Sequence, residues 1–144
     1  MEIPTMGKVL VTALIENVED LGVASRGIIP PEQVRRIEVH DALVDTGATG
    51  LSMPKRLIQQ LGLQPLRTRR IRTSAGPTTA QVYGTVRLTI QERDCPSDVT
   101  EVPDDCPVLI GQIPLEALDF VVDPISQRLI GNPAHGGEHI IEIY

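Results

Sequence analysis

Ala42-Leu43-Val44-Asp45-Thr46-Gly47-Ala48-Thr49 is the stretch on which the chain turns. It closes the run Ile37-Glu38-Val39-His40-Asp41-Ala42-Leu43-Val44, whose apolar and β-branched content predicts a strand within Val34 to Val44. A strand that stops at an acid delivers that carboxylate to a mouth of the sheet. Gly47 allows a tight backbone turn there, and the Thr46 hydroxyl is placed to brace it. Taken alone, Asp-Thr-Gly is also what an ordinary strand-closing turn looks like, because short motifs recur by chance.

Outward from that turn the chain is read as mainly β. Lys8 to Glu16 is an apolar, β-branched strand, and Asn17 to Gln33, with Gly22, Gly27 and Pro30-Pro31, is a loop or broken hairpin. Ser52 to Gly62 reads as a short helix: Ser52 caps, Leu57, Ile58 and Leu61 recur at helical spacing, and Gly62 ends it. Arg69 to Ile90 is a long hairpin around Ser74-Ala75-Gly76-Pro77. A polar stretch follows from Gln91 to Cys106, then the buried run Pro107-Val108-Leu109-Ile110-Gly111 and a helical turn around Pro114 to Leu118. Two strands, DFVVD and QRLI, meet at Asp123-Pro124, and the tail Glu138 to Tyr144 alternates apolar and polar.

Composition sets the outer bounds. The 144 residues form one domain, 1–144, and 41% hydrophobic with 22% charged content is that of a folding chain. One Phe, two Tyr and no Trp leave an aliphatic core of 14 Val, 15 Ile and 14 Leu, weighted to β-branched residues. Net charge −6 and the scarcity of stacking aromatics argue against nucleic acid as a partner. No apolar run is long enough to span a membrane, and Met1-Glu2-Ile3-Pro4-Thr5 lacks the basic start of a secretion signal, so a cytoplasmic protein is expected. Two cysteines are too few for a disulfide scaffold or a four-cysteine zinc site; free thiols are expected, with no metal and no cofactor.

The order of these features, Asp-Thr-Gly-Ala after apolar residues, then a glycine-tipped hairpin, then apolar-apolar-Gly before a helix, resembles the retropepsin-like aspartic proteases. The likeness runs from about Val9 to Ile143, with the detailed match at 42–49 and 108–118. It implies an all-β acid-protease barrel, one lobe per chain, with one or two short helices. It implies Asp45 as the catalytic aspartate, with Thr46, Gly47 and Ala48 as the active-site loop. Thr46 would carry inter-subunit hydrogen bonds and Gly47 would bring backbone near substrate. The hairpin, about 69–90, would be a flap tipped by Ser74, Ala75, Gly76 and Pro77, and Leu51, Val82, Ile110 and Ile113 are candidate pocket-wall residues. One glycine at the tip, where viral flaps have several, and the adjacent Pro77 predict a stiffer tip.

Stoichiometry follows from chemistry. Aspartic proteolysis uses two carboxylates that share a proton, and this sequence holds one Asp-Thr-Gly. The expectation is a homodimer with Asp45 paired to its symmetry mate, acting on a peptide or protein substrate. Ile3 and the tail Ile140-Ile141-Glu142-Ile143-Tyr144 suit an intersubunit sheet; the alternative is an edge strand within one subunit. From a different functional class, the rival is a dimer of the same fold that holds a peptide or protein partner without cleaving it.

Other features carry less. His135-Gly136-Gly137-Glu138-His139 spells a zinc-protease motif, but two glycines and Pro133 oppose the helix that motif needs, and a solvent-facing turn is expected. Cys95 and Cys106 bracket a polar loop with no histidine close in sequence; a disulfide between them is the alternative to the free thiols expected. Arg67, Arg69, Arg70 and Arg72 read as a solvated strand face; the functional alternatives are an attraction for acidic residues flanking a cleavage site and, more weakly, a local nucleic-acid contact. Tyr83 is expected to pack, with a hydrogen bond near the site as the other role.

Overall fold

A strand order that returns to its starting strand removes the unpaired edges an open sheet would leave. The computed structural model, which describes residues 8–143, shows this arrangement. Its strands are β1 (Val9–Asn17), β2 (Arg36–Val44), β3 (Leu51–Pro54), β4 (Gln64–Thr73), β5 (Gly76–Ile90), β6 (Arg93–Val102), β7 (Leu109–Ile110), β8 (Phe120–Asp123) and β9 (Arg128–Gly131). Its helices are α1 (Val18–Ser25), α2 (Lys55–Gln60) and α3 (Gln112–Ala117). Six strands form a ring in the order β1-β2-β7-β3-β6-β5, closed by β1 against β5. Within it β2–β7 and β3–β6 are parallel and the remaining pairs antiparallel. The all-β barrel expected from the sequence is present.

The inside of the ring is aliphatic. Ile15, Met53, Leu88 and Ile110 are wholly or almost wholly removed from solvent, and the single phenylalanine, Phe120, joins them. At the closing seam β1 meets two neighbours, and Glu16 lies opposite Arg36 on one side and Arg87 on the other. Its buried carboxylate accepts from Arg36 Nε at 3.1 Å and from Arg87 Nη2 at 2.8 Å. One acid therefore cross-links three adjacent strands with charge-assisted bonds.

Among the described residues the strand β4 pairs with β5 alone, and β5 pairs with β6 from Val82 onward. The hairpin tip thus projects beyond the ring. It is longer than the expected 69–90, because its first arm begins at Gln64. Thr73 and Gly76 face each other across Ser74-Ala75, with Gly76 at φ +112, a conformation that glycine adopts without strain.

Four local expectations need correction. Asn17 to Gln33 is not a loop: its first part is α1, capped by the Asn17 side chain, which accepts from the Asp20 amide at 3.0 Å. Gly22 sits inside this helix and does not break it. Ser52 caps nothing, since Leu51–Pro54 is a strand and α2 begins only at Lys55. The polar stretch 91–106 is mostly β6, and the turn leading into it, Gln91-Glu92, holds φ values of +48° and +70° without a glycine to announce it. Gly136 to Glu138 form the exposed turn expected, but His135 is half-buried and lies outside it. It ends a short 3-10 helix, Pro133–His135, with Nδ1 2.6 Å from Asp119 and Nε2 3.2 Å from Glu142.

Among the described residues the tail from His139 to Ile143 pairs into no strand. It is anchored by the Ile140 amide, which donates to Asp119 at 3.1 Å, and by His139 Nε2 on the Ala117 carbonyl at 3.0 Å. Ile3 and Tyr144, named above for an intersubunit sheet, lie outside the described residues. Among the described residues, no helix is long and apolar enough to cross a membrane.

Candidate active site

Asp45 follows directly on β2, where the strand has just been locked into the barrel. The Leu43 amide donates to Val108 O at 2.8 Å and the Asp45 amide to Ile110 O at 3.0 Å, so β7 fixes the exit direction of the chain. The turn then closes on itself. Gly47 N–H donates to Asp45 Oδ1 at 2.9 Å, and Ala48 N–H to the Asp45 carbonyl at 3.1 Å. The carboxylate is thereby aimed by the backbone of its own turn, an Asx-type arrangement. A Cβ at residue 47 would come within 3.2 Å of that oxygen, closer than most real contacts, so glycine suits the position. Asp45, Thr46 and Gly47 are exposed in the single chain and Ala48 is half-buried.

The far side of the turn is clasped by α3. The amides of Gly111, Gln112 and Ile113 donate to the carbonyls of Gly50, Ala48 and Thr49, each at 2.9 Å. Two of these donors belong to the first residues of the helix, whose amides have no partner within it. The Asp45 turn satisfies them. Gly111 must be small for this to happen, because a Cβ there would stand 2.6 Å from both the Ala48 and Gly50 oxygens. At the other end of α3, Arg93 Nη1 donates to the carbonyls of Leu118 and Asp119 at 3.0 and 2.8 Å. The helix holding the turn is itself pinned at both ends.

The hairpin brings Ser74, Ala75, Gly76 and Pro77 to its tip, with Gly76 half-buried and the others exposed. Of the four candidate wall residues, Leu51 and Ile113 line a cleft of about 390 Å³ beside Gly50. Val82 and Ile110 are completely buried and do not line it. Tyr83 is partly packed on the core and donates to Glu101 at 2.9 Å; that bond raises the phenol's pKa, with burial adding to it.

Both thiols are free, and Cys95 lies in a strand, not at the edge of a loop. Burial, then the nearby Asp94 charge, pushes its pKa up to about 11, and burial with Asp105 also raises Cys106. Neither is an activated nucleophile. Asp20, Asp119 and Asp123 are all held below the ordinary carboxylate range, and Asp119 is displaced furthest among the described residues. Burial opposes its ionisation, but the His135 ring, the Ile140 amide and the Asn132 side chain together bring it down to about 2. Its partners make it a structural anchor for the tail. No group of three or more side chains suited to holding a metal occurs among the described residues.

Sequence reasoning did not assign Gly111 or the Ala48–Gly50 carbonyls a role. The signal was a glycine ending an apolar run before a helix, which marks a close backbone approach. A family model described as "gag-polyprotein putative aspartyl protease" matches residues 33–117, from the approach to β2 through the last residue of α3. No curated protein matches the chain.

Proposed function

The chain belongs to the retroviral-type aspartyl protease family, and on that premise we propose that it is an aspartic endopeptidase assembled from two copies. Asp45 and its counterpart in a second copy form the dyad, because one chain supplies one such turn. The observation that supports this most directly is the Asp45 turn itself. Its carboxylate is oriented by the Gly47 amide, left exposed, and carried on a turn clasped by α3. An exposed carboxylate at a stiffened turn is suited to meet a twin.

In the mechanism the two carboxylates share one proton. The ionised partner takes a proton from a water that attacks the scissile carbonyl, and the protonated partner donates to the carbonyl oxygen. The tetrahedral gem-diol then collapses as a proton passes to the amine and the C–N bond breaks. The pair titrates jointly, so neither apparent pKa belongs to one residue, and cleavage is expected at acidic to mildly acidic pH. The projecting hairpin acts as a flap that excludes solvent, and the peptide lies extended with backbone hydrogen bonds to the cleft.

The test is a mixed peptide library incubated across about pH 3–7, with Asp45→Asn and pepstatin as arms and light scattering for mass. Cleavage by the dimer that is lost in the variant supports the enzyme. A wild-type dimer that cleaves no peptide, and binds peptides no better or worse than the Asp45→Asn variant does, overturns it in favour of the binding module.

A further inference from the structure

The charged side chains on the hairpin's first arm are not equivalent. In an antiparallel pair, residues directly opposite share a face. Arg67 and Arg69 stand opposite Val82 and Ala80, both buried, whereas Arg70 and Arg72 stand opposite Thr79 and Pro77, both exposed. Arg67 and Arg69 therefore occupy the face that the hairpin turns toward the protein, and Arg70 and Arg72 the face turned to solvent.

On the inward face the two arginines differ again. Arg67 Nη2 donates to Asp98 at 2.8 Å. Arg69 forms no ion pair among the described residues, and it reaches the cleft of about 390 Å³ that borders the Asp45 turn through Gly50. The cleft wall carries Leu51, Ile113 and Pro114, and its charged members are Arg69 and Asp98. With Asp98 already engaged by Arg67, the cleft presents apolar side chains, the hydroxyls of Thr85, Ser97 and Thr100, and, in Arg69, a cation with no ion-pair partner among the described residues. That charge stands out in a chain of net charge −6.

We propose that Arg69 is a specificity residue, which selects peptides carrying an acidic side chain beside the cleaved bond. The inference rests on the cleft being where the peptide lies, as proposed above. A carboxylate seated there gains a charge-assisted hydrogen bond at a partly enclosed position, and a lysine at the same position meets a like charge.

The test uses peptide pairs that differ only by Glu against Gln at each position flanking a cleaved bond. Wild type is expected to favour Glu by about threefold to tenfold in kcat/KM at one position, with the ratio shrinking toward one in about 0.5 M salt. Arg69→Gln should abolish the preference and Arg69→Lys retain most of it. Arg70→Glu, on the outward face, should leave the preference within about twofold, as expected of an exposed charge pair. Equal preference in wild type and Arg69→Gln overturns the proposal, and so does an equal loss in Arg70→Glu, which would assign the effect to the whole basic arm. Binding of the same fluorescent peptides to Asp45→Asn gives an affinity ratio independent of turnover. Discrimination there without any cleavage by wild type would sink the enzyme and keep the Arg69 site; cleavage without discrimination would do the reverse.

Discussion

Two glycine-bearing turns of this molecule are built on opposite plans. The Asp45 turn is exposed but braced: one carboxylate oxygen, its carbonyl and the carbonyls of residues 48–50 are all engaged by amides, three of them from the segment that opens α3. The hairpin tip at Ser74-Ala75 projects from the ring on one pair of strands, braced by Thr73 Oγ1, which donates to Gly76 O at 3.0 Å and accepts from Ala75 N at 3.2 Å. Glycine serves different ends in them. At Gly111 it permits backbone to touch backbone; at Gly76 it permits a positive φ in open space. On the function proposed above, a carboxylate that must be positioned needs the first plan, and a cover that must admit substrate needs the second.

The contrast can be broken most forcefully at Gly111. An alanine there drives its methyl into two carbonyl oxygens that the barrel holds in place. We expect a loss of about 3 kcal/mol or more, as for other overpacked, strained positions. Urea unfolding that stayed within about 0.5 kcal/mol of wild type would mean that the clasp yields easily.

The turn's rigidity also depends on the ring being closed. Glu16→Gln keeps the shape of the side chain but removes the charge that holds Arg36 and Arg87 across the β1 seam. The expected cost is about 2 kcal/mol, the scale of hydrogen bonds to charged groups. Faster hydrogen exchange along β1 and β5 should accompany it, and unchanged exchange there would disconnect the seam from the barrel's stability.

Gly76→Ala is the counterpart on the open plan. No atom lies within 4 Å of the added methyl, so only the positive φ is penalised, at about 1 kcal/mol. The global unfolding midpoint should move much less than for Gly111→Ala. An equal shift would show the tip to be as integral to the fold as the clasp.

The smallest effect concerns the far end of α3, where Asp119, His135 and Glu142 hold the tail. His135 is raised above its ordinary value by Asp119 and then Glu142, so its contribution is complete below about pH 6.5 and fades as pH rises through the higher folded value. Asp119 is lowered to about 2, so its contribution is complete above about pH 4 and is lost as pH falls through that value. Protection of the Ile140 amide, corrected for intrinsic exchange, should therefore be greatest from about pH 4 to 6.5. A flat profile up to about pH 9 would remove His135 from the latch.

The same division separates what could be read early from what could not. Strands β1 and β2 were legible because their apolar, β-branched runs announce themselves locally. Strand β6 was not, since Arg93-Asp94-Cys95-Pro96-Ser97-Asp98 is polar and becomes a strand by pairing with β5 on one side and β3 on the other. Helix α1 was hidden by Gly22, although Asn17 and the acids Glu19 and Asp20 were the signature of a helix start.

The sequence by itself determined that a carboxylate leaves a strand on a Thr-Gly turn, that the core is aliphatic and β-rich, and that one chain offers one such turn. Those properties depend on residue type and on neighbours a few positions away. Only the tertiary structure decided that Gly111 is clasped against the Asp45 turn, that Glu16 closes the ring, and that Arg69 faces inward while Arg70 faces out. Each of these depends on register between segments far apart in the chain. A shift of one residue would turn the same side chains to the opposite face.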